Sequence, residues 1–132
     1  MKKSTIIVSK RKTAIANAVI KDGTGEIYVN HRKLESFKRD TLFALMTSEP
    51  LKLSGDVYKK YNIYISIKGG GQIARAQAIR AAIAKCLVKK EKNLRKAFLE
   101  YDRSLLVDDK RQTEAQKPYR SAARALKQTS YR

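Results

Sequence analysis

The sequence predicts a single domain that combines β-strands with α-helices. Three observations carry this reading. Short strand-like runs occupy the first 29 residues, and over 61–68 apolar and polar residues alternate with the period of a half-buried strand. The stretch 72–90 is rich in Ala, Ile and Leu and holds neither Pro nor Gly, which favours helix. The length, 132 residues, suits one core of modest size.

Taken in order, Thr5, Ile6, Ile7 and Val8 form a short β-rich run within residues 4–9, which Lys10-Arg11-Lys12 interrupts. Residues 13–21 resume a strand pattern, and Asp22-Gly23-Thr24-Gly25 is a turn signal. Residues 26–29 follow as a strand with Ile27 and Val29 on one face, so the runs on either side of Asp22-Gly23 are expected to pair as a hairpin. A short helical turn is expected over 34–37. Asp40 is placed to cap a helix whose buried side is Leu42, Phe43, Leu45 and Met46. Pro50 is expected to stop that helix and 51–56 to be a loop. Over 61–68, Tyr61, Ile63, Ile65 and Ile67 share one face. In 72–90, Ala76, Ile79, Ile83, Cys86 and Leu87 make one apolar stripe, with Arg75 and Arg80 flanking it, Lys85 and Lys89 pointing away, and alanines that let another surface approach. A last helix is expected over 91–101, with Leu94, Ala97, Phe98 and Tyr101 at helical spacing and Lys92, Arg95 and Lys96 on the wet side.

Between the long strand and the long helix stands Lys68-Gly69-Gly70-Gly71. Glycines allow backbone angles other residues resist and remove side chains from the helix entrance. The first N–H groups of a helix lack internal partners and carry partial positive charge, so this entrance suits a phosphate. A plain strand-to-helix turn needs the same glycines. Lys68 before them and Arg75 after them add cations that favour the anion.

Charge narrows the partner. Thirty Lys and Arg stand against twelve Asp and Glu, a formal net charge of +18. Such an excess opposes the compact state unless a polyanion neutralises it. Nucleic acid is the leading partner and an anionic membrane the second. No apolar run is long enough to span a membrane, and the basic start, Met1-Lys2-Lys3-Ser4, leads into a strand rather than a secretory leader. Cys86 is the only cysteine, so it reads as a small buried hydrophobe and excludes a disulfide framework or a multi-cysteine zinc site. His31, the only histidine, lies in a polar turn without a second ligand.

After Val107 the apolar residues become scattered, and Glu114 is the only acid beyond Asp109. A segment of this composition cannot bury enough apolar surface to offset its chain entropy, and orders by laying cations on phosphates. The chain therefore divides into a globular domain, residues 1–107, and a basic tail, residues 108–132. Tyr119 and Tyr131 are placed to stack on bases or to anchor on a surface. Asp108 and Asp109 are expected to pair with Lys110 or Arg111. Ser9-x-x-Lys12 lacks the partner motifs of a serine nucleophile, and the glycine joint lacks the Gly-Lys-Ser/Thr ending of a phosphate loop. No nucleophile, base and oxyanion donor assemble, so the reading is not an enzyme and invokes no cofactor.

Three stretches together resemble a known family. They are Lys10-Arg11-Lys12-Thr13-Ala14 with Gly23-Thr24-Gly25 and Val29-Asn30; Gly69-Gly70-Gly71 leading into Ala76-Gln77-Ala78-Ile79-Arg80 and Ile83-Ala84; and Leu106-Val107-Asp108 with Arg111, Glu114, Lys117-Pro118 and the ending Ser130-Tyr131-Arg132. Nearly end to end, the chain is similar to the universal small-subunit ribosomal protein family numbered nine, of the archaeal and eukaryotic type. It departs at Arg75, where members commonly carry Gln, at His31, where Gly is frequent, and after Lys117, where glycines are absent.

The resemblance implies an α+β (α/β two-layer) architecture, the ribosomal protein domain 2-like fold, with a mixed β-sheet packed by helices on one side and an extended basic C-terminal tail. It implies a non-enzymatic, cytoplasmic constituent of the ribosome. The partners it implies are small-subunit ribosomal RNA, neighbouring proteins of the subunit head, and peptidyl-site tRNA; no membrane is involved. The expected RNA-contacting residues of the body are Lys10, Arg11, Lys12, Lys68, Gly69, Gly70, Gly71, Arg75 and Arg80. Those of the tail are Arg111, Lys117, Arg120, Arg124 and Lys127. Tyr131 and Arg132 are expected to meet the tRNA anticodon stem-loop. A phosphate-handling enzyme, whose fold small-molecule kinases share with this family, and a DNA-compacting protein stand as rivals. The first would need nucleotide turnover and the second equal affinity for duplex DNA and structured RNA.

Overall fold

A computed structural model of the chain describes residues 5–126 together with Gln128 and Ser130. It holds a five-stranded mixed sheet in the order β1-β2-β5-β3-β4, with three α-helices packed on it. The strands are β1 (Ile6–Arg11), β2 (Ala14–Asp22), β3 (Ile27–Val29), β4 (Arg32–Lys33) and β5 (Tyr61–Lys68). The helices are α1 (Thr41–Ser54), α2 (Gln72–Lys90) and α3 (Leu94–Tyr101).

Strand β5 and helix α2 span the segments their periodicities mark. Ile63, Ile65 and Ile67 are buried on the helix-facing side of β5, beside Ala14, Ala16 and Ala18 of β2. Ala76, Ile79, Ile83, Cys86 and Leu87 of α2 lie against them in one core. Small residues in both layers let α2 approach β2 closely, and Ala78, Ala81 and Ala84 are buried as well. Burial pushes the Cys86 thiol up to about 12, so it packs as a hydrophobe.

Asp40 caps α1, its carboxylate accepting a 3.2 Å hydrogen bond from the Phe43 N–H. Four expectations need correction here. Helix α1 does not stop at Pro50 but runs to Ser54, and Gly55 ends it with φ +58°. An interior proline costs about 3 kcal/mol, but the Pro50 ring is fully buried, and its packing offsets that cost. The buried side of α1 is Phe43, Thr47, Pro50 and Ser54, whereas Leu42 and Leu45 are exposed. Thr47 can be buried because its hydroxyl donates to the Phe43 carbonyl at 2.9 Å. On α3, only Phe98 is fully buried, and Tyr101 faces out. Its first turn also starts later than expected, at Leu94.

The largest correction concerns pairing. Strands β2 and β3 are not a hairpin, because β5 lies between them, antiparallel to β2 and parallel to β3. The Asp22–Gly25 turn wraps the start of β5 instead. Asn62 Oδ1 accepts from the N–H groups of Thr24 and Glu26, both at 2.9 Å. The true hairpin is β1 with β2, and Lys10 and Arg11 belong to its first strand rather than to the turn.

Candidate nucleic-acid interface

The β1–β2 turn and the glycine joint meet at one end of the sheet. Lys12 occupies the turn with φ +51°, while Gly69 and Gly70 have φ +73° and +71°. A Cβ on Gly69 would lie 2.5 Å from the Thr13 carbonyl oxygen, and one on Gly70 would lie 2.7 Å from Ala14 Cβ. These two glycines are therefore demanded by both backbone and packing. Gly71 differs: its φ is −82°, and a Cβ there would meet nothing within 4 Å. It stands at the N-terminus of α2 with no side chain capping the helix, and the first turn of α2 carries no acid.

The exposed cations Lys10, Lys12 and Lys68 come together at this end, since Lys10 pairs with Ile15 and Ile15 with Lys68 across the ladder. Exposed Arg75 folds back over the joint, its Nε donating to the Gly69 carbonyl at 2.8 Å. A carboxylate stands near as well: the Gln72 side-chain amide donates to Asp40.

Arg11 and Arg80 are engaged by the protein itself. Arg11 Nε donates to Gln77 at 2.8 Å, and its guanidinium lies 3.5 Å from Asp109. Arg80 pairs with Glu49 at 2.5 Å and Asp102 at 2.9 Å, and donates to Ser104 at 3.1 Å. Burial pushes the Asp102 carboxyl up, but bonds from Ser104 and Arg80 together hold it below its ordinary range. A cavity of about 130 Å³ separates the two arginines, and Arg111, Asp108 and Asp109 complete its wall. Lys10 lines it too, so four cations face two carboxylates and the cavity is cationic.

The start of the basic segment is tied to this wall. Asp108 accepts from Ser9 at 2.8 Å and from Lys85 at 2.6 Å, and a bridge joins Asp109 to Arg11. Lys85, which the helical pattern places away from the core, is half-buried for this reason. Arg111 clamps Asp109, as the sequence led one to expect, and its hydrogen bonds hold that carboxyl well below the usual carboxylate range. Asp108, by contrast, pairs with neither Lys110 nor Arg111 but with groups on β1 and α2.

Beyond Lys110 the described residues have no helix and no named strand. Glu114 pairs with Arg124 at 2.7 Å and Lys117 at 2.9 Å, and both cations draw its carboxyl down. An isolated bridge joins Arg120 to Leu126. Tyr119 is 92% exposed, an aromatic face open to solvent. Lys127, Tyr131 and Arg132 lie outside the described residues.

The partners Ser9, Glu49, Gln77, Lys85, Asp102 and Ser104 went unread in the sequence. Each is far along the chain from the group it holds, and no local spacing marks it. Among the described residues no cluster of His, Cys, Asp and Glu could hold a metal ion, and no helix is long and apolar enough to cross a membrane.

Comparison with known proteins gives a consistent result. Residues 9–132 match the family described as Ribosomal protein S9/S16. The chain is 43% identical to the small ribosomal subunit protein uS9 of Desulfurococcus amylolyticus, over 98% of this chain and 95% of that protein. It is 40% identical to the uS9 proteins of Methanococcus maripaludis, covering 95% of this chain and 96% of the relative, and of Picrophilus torridus, covering 96% of each. With the match running over nearly all of the chain and the mixed sheet and helices in place, the chain belongs to the S9/S16 family of ribosomal proteins, a structural and non-enzymatic family.

Proposed function

We propose that this protein is a structural constituent of the small ribosomal subunit, in the cytoplasm, and that it binds the 3′ major domain of small-subunit RNA in the head. One observation carries the reading. The exposed cations Lys10, Lys12, Lys68 and Arg75 converge on an uncapped helix N-terminus, where glycines leave the backbone N–H groups open. Lysines and a helix entrance suit phosphate oxygens rather than base edges, so this end positions the protein on folded RNA without reading sequence. Arg11 and Arg80 act differently in this reading: they brace the surface and the root of the tail, and meet RNA only at its margin.

In the same reading residues 1–107 form the platform and residues 108–132 the basic tail. Arg111, Lys117, Arg120, Arg124 and Lys127 lie along RNA, and Tyr131 and Arg132 reach the anticodon stem-loop of peptidyl-site tRNA. Extended chain covers about 3.3 Å per residue, so the tail has a reach of several tens of Å.

The test is binding of the full-length protein to a 3′ major domain transcript across a salt series, with duplex DNA as control. The expected result is preference for the RNA and a fall of about one log unit in affinity per log unit of salt for each phosphate neutralised. Salt-insensitive binding, or equal affinity for duplex DNA, overturns the proposal.

A further inference from the structure

The helices cover one face of the sheet and leave the other open. Across that open face the register aligns Ile6, Val19, Tyr64, Tyr28 and Lys33 in one row, drawn from all five strands. Beside it lies Val8, and further along the same face Ile15 stands between Lys10 and Lys68. Ile6 is 62% exposed, Val8 43% and Tyr64 41%, so this end of the face presents contiguous apolar surface. A shallow groove of about 470 Å³ runs between Ile6, Val19, Tyr64 and Tyr28.

Aromatic rings on a basic sheet face invite a reading as a base-stacking platform. The geometry opposes it. The Tyr28 and Tyr64 rings stack on each other, centroids 5.3 Å apart and 3° from parallel. Lys21 Nζ lies over the Tyr64 ring at 5.5 Å, and Lys33 Nζ over the Tyr28 ring at 6.0 Å. These four side chains follow the order of their strands, β2, β5, β3 and β4, so each ring has a neighbour on both sides. The ring faces are shared among these four groups, which disfavours stacking a nucleobase on them. What the surface offers is an aliphatic centre, ring edges and a cationic rim at Lys21 and Lys33. Lys33 is paired with Glu26, which also accepts from the Tyr28 hydroxyl, both at 2.6 Å, so the rim charge offered to a partner is that of Lys21. An apolar centre within a charged rim is the anatomy of a protein–protein contact.

We propose that this open sheet face docks a neighbouring protein of the small subunit through an apolar segment flanked by Asp or Glu. The aliphatic row takes the apolar side chains, and Lys21 at the rim takes a carboxylate. The proposal rests on the reading that the chain works within the small subunit, but it concerns the row from Ile6 to Lys33, four residues along β1 from Lys10 and the cations beside it.

The experiment places a photo-crosslinking residue at position 6 or 19 of the full-length protein and irradiates assembled small subunits. The expected product is a crosslink to another ribosomal protein, mapped to an apolar segment bordered by carboxylates. Introducing Lys21→Glu should lower the yield by about tenfold, because facing like charges are strongly unfavourable. A crosslink to RNA, a crosslink to a basic protein segment, or no crosslink at all overturns the proposal. The salt series with the RNA transcript, run on the same Lys21→Glu protein, separates the two readings. Unchanged RNA binding with lost crosslinks supports the docking surface. Absent RNA binding by the unsubstituted protein removes the reading beneath it.

Discussion

The Asp108 carboxylate accepts a 2.8 Å hydrogen bond from the hydroxyl of Ser9, 99 residues earlier in the chain. Ser9 is fully buried, and Lys85 reaches the same carboxylate oxygen from α2 at 2.6 Å while also donating to the Val8 carbonyl. The tail root is thus held by a strand and a helix together, which fixes the direction in which the basic segment leaves. Asp108→Ala leaves the buried Ser9 hydroxyl without its carboxylate and the half-buried Lys85 ammonium with only the Val8 carbonyl. The expected loss is about 1–3 kcal/mol in urea unfolding, with faster proteolysis and amide exchange beyond residue 109. Unchanged exchange there would show that the latch does not hold the tail.

The three glycines of the joint should separate by substitution. Gly70→Ala puts a methyl 2.7 Å from Ala14 Cβ at a φ of +71°, and is expected to cost about 1–3 kcal/mol of stability. Gly71→Ala meets no neighbour and has an ordinary φ, so thermal unfolding should change little. If phosphate sits at the helix entrance, the same Gly71→Ala protein should bind RNA more weakly while remaining folded. Equal RNA affinity would reduce the joint to a packing device.

Arg80 should behave as a structural residue. It ties α1 to the turn after α3 through Glu49 and Asp102, and only 14% of its side chain is exposed. Arg80→Ala is expected to destabilise by about 2 kcal/mol, since it strands two carboxylates that are themselves partly solvated. The salt slope of RNA binding should stay near that of the unsubstituted protein. Lys12→Ala and Lys68→Ala should do the reverse, leaving the unfolding midpoint in place and lowering the salt slope by about one unit each.

Acid should loosen the tail root. Arg111, with Arg11 behind it, holds the Asp109 carboxyl below its unfolded value, and Ser104 and Arg80 hold Asp102 low against its burial. A depressed carboxyl contributes stability that is complete above the unfolded range near pH 4 and is lost as pH falls through the folded value. The stability difference between the unsubstituted protein and Asp109→Asn should therefore be constant near neutrality and shrink in strong acid. A difference that grew on acidification would have the wrong sign for this pairing.

Deletion of Tyr131 and Arg132 tests the far end of the chain. Subunits carrying the shortened protein should assemble and retain peptidyl-site tRNA less well, measured by tRNA dissociation. Failed assembly with normal tRNA retention would reverse the assignment.

Sequence alone determined the elements whose signal is local. The alternation over β5, the alanine-rich period of α2, the Asp40 cap and the burial of Cys86 all follow from neighbours within a few residues, and each is present as read. The excess of cations and three spaced motifs were enough to reach the family. Only the tertiary structure decided which strands pair, because a turn at Asp22–Gly25 specifies a change of direction but not that β5 will insert beside it. Only packing could keep Pro50 inside a helix, since the burial that offsets its cost comes from outside α1. It also divided the cations, leaving Lys12 and Lys68 in solvent while Arg11 and Arg80 turned inward to carboxylates. A charge in the sequence has no direction; it acquires one when the fold brings a partner within about 3 Å or leaves water there instead.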